Sequence, residues 1–531
     1  MSAHGGTRGE ATTASETGAE VDTGRLRAAL HPEAHAIVYD QYLPAPDTSD
    51  GLGEELRLIS EVDRAHLVML AERGIVLPQQ AGSLLRTIDE LRRSDFAPVR
   101  ARPMPRGVYL AYEATLTEQL GEEIGGVLHT GRSRNDLNAT TARLRGRRHL
   151  LRLVEATEGL ASVLLEKAEE YQAVTMPAYT HGQPAVPITY GHYLAALGFA
   201  TVRALAGLLH SGRELDVNPL GAGAVGGTSI PIDPERTSSL LGFTAPVANS
   251  VDAVASRDFG LQLLAASGVL GVTVARAARD FGTWTSEEVA LVRLSDDLVG
   301  SSSMMPQKRN PFLLEHIQGR ATASLGAYPA AAAAMATAAY TNAIAVSNEA
   351  LRHVWPGLRN TTDAVTLLRL VVRGATPDAE RMTRRCVDGF TPATYLAERL
   401  VASGMPFRRA HHLVGATVLG ALETSRSLAE AAKDVPELAR LTDNDGDGDG
   451  DGDGAHDAHG GDGPTDWLEP SAVAQACAYG GGPGGDSIAR SLVALRADFD
   501  GIRAEFDARR NRWNAGEARL DEAVRRLVAQ A

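Results

Sequence analysis

Four polar clusters interrupt otherwise apolar, helix-patterned sequence. The first, His129-Thr130-Gly131-Arg132-Ser133-Arg134-Asn135-Asp136, packs two guanidinium groups and several hydrogen-bonding side chains into one turn. The planar fork of a guanidinium matches the two oxygens of a carboxylate. Ser, Asn and Asp also favour helix caps, so the turn reads equally as a solvated cap. The second is Thr180-His181-Gly182-Gln183-Pro184, followed by Pro187 and His192. A histidine held near helix-breaking prolines suits proton transfer near neutral pH, although a packed or exposed histidine is the commoner state. The third runs from Gly300 through Ser301, Ser302, Ser303 and the Met304-Met305-Pro306 stretch to Gln307-Lys308-Arg309-Asn310-Pro311. A Ser/Gly loop beside two cations is what a lid closing on an anionic substrate needs; an ordinary linker is the plain alternative. The fourth, Asn249 to Phe259, carries charges that helix-surface pairing explains without a function.

Helices must position these clusters. From Glu54 to Arg92 the pattern is helical, with Pro78 between two helices. Residues 148–173 read as another helix. The longest signal begins at Asp252, where Phe259, Leu263, Ala266, Leu270, Val274, Ala277, Phe281 and Trp284 form one apolar stripe that wants partner helices. Residues 312–345 and 360–372 continue in the same manner, and strict alternation is rare, so strands should be short and few. The expected fold is mainly α: a long central helix bundle at 126–375, an N-terminal helical domain at 25–125 and a C-terminal helical domain at 376–531. A disordered tail is expected at 1–24, and a disordered Asp/Gly insert at about 442–465. Within that insert no calcium-loop frame supplies the glutamate required at its twelfth position.

Composition excludes several classes of function. Lys plus Arg total 52 against 66 Asp plus Glu, a net charge of −14 that argues against a general nucleic-acid binder but not against a small anionic substrate. Two cysteines, Cys386 and Cys477, exclude a disulfide framework and a Cys-rich metal site. The most apolar stretch, 321–340, is Ala-rich and weak as a membrane span, and the N-terminal residues lack the apolar core of a secretory signal, so no membrane association and a cytoplasmic location are expected. Gly221, Gly223 and Gly226 fit GxGxxG, but Pro231 lies where a nucleotide-binding helix should propagate.

Together the clusters resemble the aspartase/fumarase superfamily and, within it, the argininosuccinate lyases. Residues 302–310 resemble the signature GSSxMPxKxN, with Ser301 in place of its glycine, and residues 129–136 resemble HTGRSRND. Tyr179 to Gln183, Asn249 to Phe259 and Pro406 to His411 resemble the same branch. The resemblance implies a homotetramer whose active sites each draw on three subunits, and β-elimination of a substituted succinate to fumarate. It assigns Ser302 as the base, with Lys308 and Asn310 holding the carboxylate that accumulates charge. Ser133, Arg134, Asn135, Thr180 and Gln183 bind substrate, and His181 donates a proton or orients water with Glu315 as its carboxylate partner. It implies no metal and no cofactor.

The leaving-group side departs from that pattern. Where the branch carries Tyr-Asn-x-Asp-x-Gln-x-x-Lys, Tyr340 persists, but Ala343, Ala345 and Asn348 stand at the Asp, Gln and Lys positions. Residues 108–113 lack the usual Asp-x-His, and Phe312 and Leu313 replace a polar pair. A guanidinium left without acceptors there costs roughly 3 kcal/mol. The expected function is therefore a fumarate-releasing lyase of specialised metabolism. Its substrate would be an N-substituted aspartate other than argininosuccinate, or nitrosuccinate. The alternative is argininosuccinate lyase of arginine biosynthesis, releasing arginine and fumarate; a further one is a non-catalytic structural relative.

Overall fold

Ser133 starts the longest helix of the core. Its Oγ accepts the backbone N–H of Asn135 at 3.3 Å, and Asp136 Oδ1 accepts that of Ser133 at 2.9 Å, a reciprocal cap. In this computed structural model, which describes residues 30–38, 51–104, 107–443 and 468–531, the helix spans Arg134–Glu170. It therefore begins well before the expected 148, because the cap lies within the first polar cluster. The expected tail at 1–24 and the Asp/Gly insert from residue 444 onward lie outside the described residues.

The elements follow in order: α1 (Gly51–Glu72), α2 (Pro78–Arg93), α3 (Val108–Leu120), α4 (Arg134–Glu170), β1 (Thr175–Thr180), β2 (Gln183–Thr189) and α5 (Tyr190–Ser211). Then come β3 (Val217–Asn218), β4 (Ala245–Pro246), α6 (Ser250–Ala255), α7 (Asp258–Trp284), β5 (Val292–Leu294), α8 (Phe312–Ala321), α9 (Ala323–Ala336) and α10 (Leu351–Gly374). The C-terminal part holds β6 (Ala375–Pro377), α11 (Ala379–Asp388), α12 (Ala393–Ala402), α13 (Phe407–Thr424) and α14 (Gly485–Gln530), with shorter helical turns between these elements. Among the described residues the strands form three two-stranded pairs, antiparallel for β1–β2 and β5–β6 and parallel for β3–β4.

Helices α4, α5, α7, α8, α9 and α10 make the bundle. Phe259, Leu263, Leu270, Val274, Ala277 and Phe281 of the predicted stripe are buried, so the 3.6-residue period marks the core face. Gly271 lets α7 approach α8: a Cβ there would lie 1.9 Å from the Ala321 carbonyl oxygen. Among the described residues, Tyr190–Ser211 and Asp258–Trp284, rather than 321–340, are the helices long and apolar enough to cross a membrane; here their apolar faces line the bundle core. The single helix expected from Asp252 is broken. Ser256 is extended, and Arg257 donates to the carbonyls of Val254 (3.0 Å) and Ser256 (2.6 Å), which ends α6 before α7 begins.

A second core joins α1, α2 and α3 through residues such as Leu56, Ile59, Leu84 and Ile88. Helix α14 ties both cores together. Phe499, Phe506 and Trp513 pack on the bundle, and Leu520 and Val524 on the N-terminal layer. A smaller cluster, including Leu396, Leu400, Val414 and Leu438, gathers α12 and α13.

The path of the chain decides where the polar clusters fall. Helix α4 leaves one end of the bundle and travels about 55 Å at 1.5 Å per residue. The β1–β2 hairpin turns the chain at the far end, and α5 returns it. Helix α7 leads away again, the 285–311 segment turns it, α8 and α9 return it, and α10 departs once more. Residues 129–136, 249–257 and 340–348 therefore share the near end. The hairpin and the Ser302 loop share the far end.

Candidate active site

At the near end, Arg132 and Arg134 have opposite fates. Arg132 is buried, and its Nη2 meets Asp63 Oδ1 at 2.5 Å with both side chains fully enclosed. Burial pushes the Asp63 carboxyl up, and the adjacent Arg132 opposes that rise. Arg132 also donates to the Tyr109 hydroxyl at 3.2 Å, and that hydroxyl lies 3.0 Å from His129 Nδ1. His66 Nε2 sits 2.8 Å from the Thr130 carbonyl oxygen, and burial holds its imidazole well below the usual range. These bonds rivet the loop to α1 and α3. Sequence reasoning missed this support, although Asp63 and His66 fall among the buried-face positions of α1, where a carboxylate must find a partner.

Arg134 is exposed and lines a cleft of about 1310 Å³ together with Asn135, Tyr109, Asn342 and Asn348. Asn135 donates to the Ala224 carbonyl at 3.1 Å and accepts from Asn342 Nδ2 at 2.9 Å, so one amide hydrogen remains available. Ser133 acts as the helix cap described above. Tyr340 is 69% exposed and does not line the cleft. Its hydroxyl donates to Asp252 Oδ1 at 2.6 Å, and that bond pushes its ionisation up to about 12. Asn249 caps α6 through the N–H groups of Val251 and Asp252. The glycine-rich loop serves Asp136, whose Oδ2 accepts the N–H groups of Gly221 and Gly223 at 3.0 Å each. The anion it cradles is the chain's own carboxylate.

At the far end, Thr180 and Gln183 pair across the hairpin, with His181 and Gly182 as its turn. Both turn residues have positive φ, 53° and 75°, as a tight two-residue hairpin requires. For a histidine this is a strained conformation, and it thrusts an exposed imidazole to the tip. Ser302 lies on the loop closed by the Gly300–Asn310 bridge. Its Oγ accepts N–H bonds from Met304 (3.3 Å) and Met305 (3.0 Å). The adjacent cations divide their work. Arg309 pins the loop base to Asp296 at 2.5 Å and to the Leu294 carbonyl at 3.0 Å, while Lys308 is exposed. Asn310 Nδ2 donates to the Ser301 carbonyl at 3.4 Å. Glu315 stands exposed on the first turn of α8.

One chain thus gathers Ser133, Arg134 and Asn135 at one end, with Tyr340 on the neighbouring segment. It places Thr180, His181, Gln183, Ser302, Lys308, Asn310 and Glu315 at the other. The Arg134 guanidinium and the Ser302 hydroxyl are separated by the length of the bundle, on the order of 40 Å from the helix rises.

Comparison with known proteins adds a second line of observation. A family model described as lyase matches residues 58–326, and one described as argininosuccinate lyase C-terminal matches residues 390–443. An argininosuccinate lyase of Methanoculleus marisnigri is 36% identical over 385 residues, covering 71% of this chain and 77% of that one. One of Methanothrix thermoacetophila is 31% identical over 473 residues, covering 88% and 92%. Among solved structures, an EDDS lyase in complex with formate superposes with a TM-score of 0.79 at 26% identity, covering 96% of this chain and 98% of that one. A class II fumarase of Schistosoma mansoni shares the fold at 16% identity and a TM-score of 0.64, covering 79% and 94%.

Proposed function

Because this chain belongs to the argininosuccinate lyase branch of the aspartase/fumarase superfamily, we propose that it cleaves argininosuccinate to arginine and fumarate. A fumarate-forming carbon–nitrogen lyase is what the family membership makes it. The names of the relatives support arginine as leaving group better than the altered pocket expected from the sequence. The second reading, another N-substituted aspartate, draws on one observation: Asn342 and Asn348 line the cleft beside Arg134, and the segment between them carries Ala343 and Ala345. An EDDS lyase among the structural neighbours is in keeping with it.

The observation that carries the chemistry is the Ser302 environment. Elimination removes a proton from carbon beside a carboxylate and leaves a dianionic aci-carboxylate. The electron pair then forms the fumarate double bond as the C–N bond breaks and the departing nitrogen, a guanidino nitrogen in argininosuccinate, takes a proton. A serine oxygen can act as base only where its anion is stabilised, and two N–H groups already point at Oγ. Lys308 and Asn310 on the same loop would grip the carboxylate that accumulates charge. Arg134 and Asn135, with Thr180 and Gln183, would hold the substrate, and His181 with Glu315 would serve the departing nitrogen.

These groups meet only if copies of the chain pack with near end against far end. The homotetramer with shared sites supplies that arrangement. Val269 and Val272 on α7, and Leu325 and Tyr328 on α9, are 65%, 41%, 44% and 40% exposed. Such an apolar face on bundle helices is what self-association buries.

Following fumarate absorbance with argininosuccinate, other N-substituted aspartates and nitrosuccinate in parallel tests the reading. Argininosuccinate should have the highest kcat/KM. If a different succinate exceeds it tenfold, the second reading replaces the first. If none yields fumarate, both fall.

A further inference from the structure

Six arginines are buried among the described residues: Arg64, Arg132, Arg143, Arg147, Arg257 and Arg509. Three of them have carboxylates. Arg64 meets Asp89 and Asp521, Arg132 meets Asp63, and Arg509 meets Asp216. Arg147 instead donates to the carbonyls of Leu215, Leu241 and Gly242, with its guanidinium over the rings of Phe243 and Trp513. Arg143 and Arg257, 2% and 1% exposed, also lack a carboxylate within ion-pair distance among the described residues; the Arg143 guanidinium lies 5.6 Å from the centroid of the Phe259 ring.

Both converge on Ser256. Arg143 Nη2 donates to Ser256 Oγ at 3.3 Å and Nη1 to the Ala139 carbonyl at 3.3 Å. Arg257 Nη1 donates to the carbonyls of Ser256 and Val254. Nε of Arg143 and both Nε and Nη2 of Arg257 are buried without a hydrogen-bond partner. Glu214, Asp252 and Asp258 act only through space from the surface. Arg257 also stands at the N-terminus of the 27-residue α7, the positive end of its dipole.

We propose that a small monoanion of halide size is bound between the guanidinium groups of Arg143 and Arg257. Water can satisfy an orphaned N–H, but it cannot neutralise two enclosed cations placed side by side; an anion does both. Burial already pulls the two guanidinium ionisations down, to about 10 and about 9, so both groups remain charged at neutral pH. The site sits at the junction of α6 and α7, and α6 carries the Asp252 that holds Tyr340. An anion there would stiffen the α6–α7 junction and the segment that Tyr340 ties to it, whichever substrate the enzyme takes.

The test is a crystal of the full chain grown or soaked in bromide, with anomalous data, alongside thermal melts in chloride and in gluconate at equal ionic strength. The expected result is a bromide peak within hydrogen-bond reach of Arg257 Nε and Nη2 and Arg143 Nε, and a saturable rise in Tm of about 2 °C or more with chloride. Ser256→Asp, which places a carboxylate between the cations, should abolish that halide dependence. A water molecule or empty density at the position overturns the proposal, as does a chloride effect that persists in a folded Ser256→Asp protein. Should that variant fail to fold, the anomalous map decides alone.

Discussion

The Oγ of Ser302 accepts the backbone N–H of Met305 at 3.0 Å. With the Met304 N–H at 3.3 Å, it makes an oxygen that is prepared to carry negative charge before any substrate arrives. Replacing Ser302 with alanine should lower kcat by about 10²–10⁴-fold, the usual contribution of a positioned base, with KM and oligomeric state unchanged. Steady-state fumarate assays and sizing chromatography check this. A rate within a factor of two of the parent would remove Ser302 from the chemistry.

Arg134 and Ser302 lie at opposite ends of the bundle, so their loss should be repairable in mixed assemblies. Arg134→Ala and Ser302→Ala proteins, each inactive alone, should recover up to about a quarter of parental activity when co-refolded, since random mixing leaves that share of shared sites intact. No recovery from well-mixed hybrids would mean that each site is built within one chain.

Asn348 lines the cleft at the position where the branch carries lysine. Asn348→Lys should lower KM for argininosuccinate about tenfold, roughly 1.4 kcal/mol, by restoring a charged contact. An unchanged KM would show that the position does not face the substrate.

The Arg132–Asp63 pair is enclosed, so removing one partner strands the other's charge. Arg132→Met should cost about 3–5 kcal/mol in denaturant unfolding, and Arg132→Met with Asp63→Leu should recover most of that loss. A double variant no more stable than the single one would mean that the loss comes from packing.

His149 stacks on Trp355 with ring centroids 5.2 Å apart. Burial first, and then Arg152, Arg145, Arg359 and Arg148, lower its ionisation from 6.5 to about 3. The unfolded chain therefore binds the proton more readily than the folded one. Stability should be fully present above about pH 6.5 and decline as pH falls towards 3. His149→Phe keeps the stack and should flatten this limb of the acid-unfolding curve. An unaltered curve would assign the limb to other groups.

Periodicity made the bundle legible in advance. The stripe from Phe259 to Trp284 needs only the 3.6-residue repeat, and Pro78 marks a boundary because its ring fixes the local backbone. The break at Ser256–Arg257 was not legible, because it depends on a guanidinium turning inward to carbonyls that only folding presents. Nor did adjacency separate Arg132 from Arg134, or Arg309 from Lys308. In each pair one cation is pinned by a carboxylate distant in sequence or across a loop, and the other is left exposed.

By itself the amino-acid order determined the helical class and the helix caps, since those follow from side-chain chemistry and local spacing. The tertiary structure alone decided which of the polar clusters share an end of the bundle. Rigid helices of 22 to 37 residues carry neighbouring motifs tens of ångströms apart, and no local preference encodes that separation.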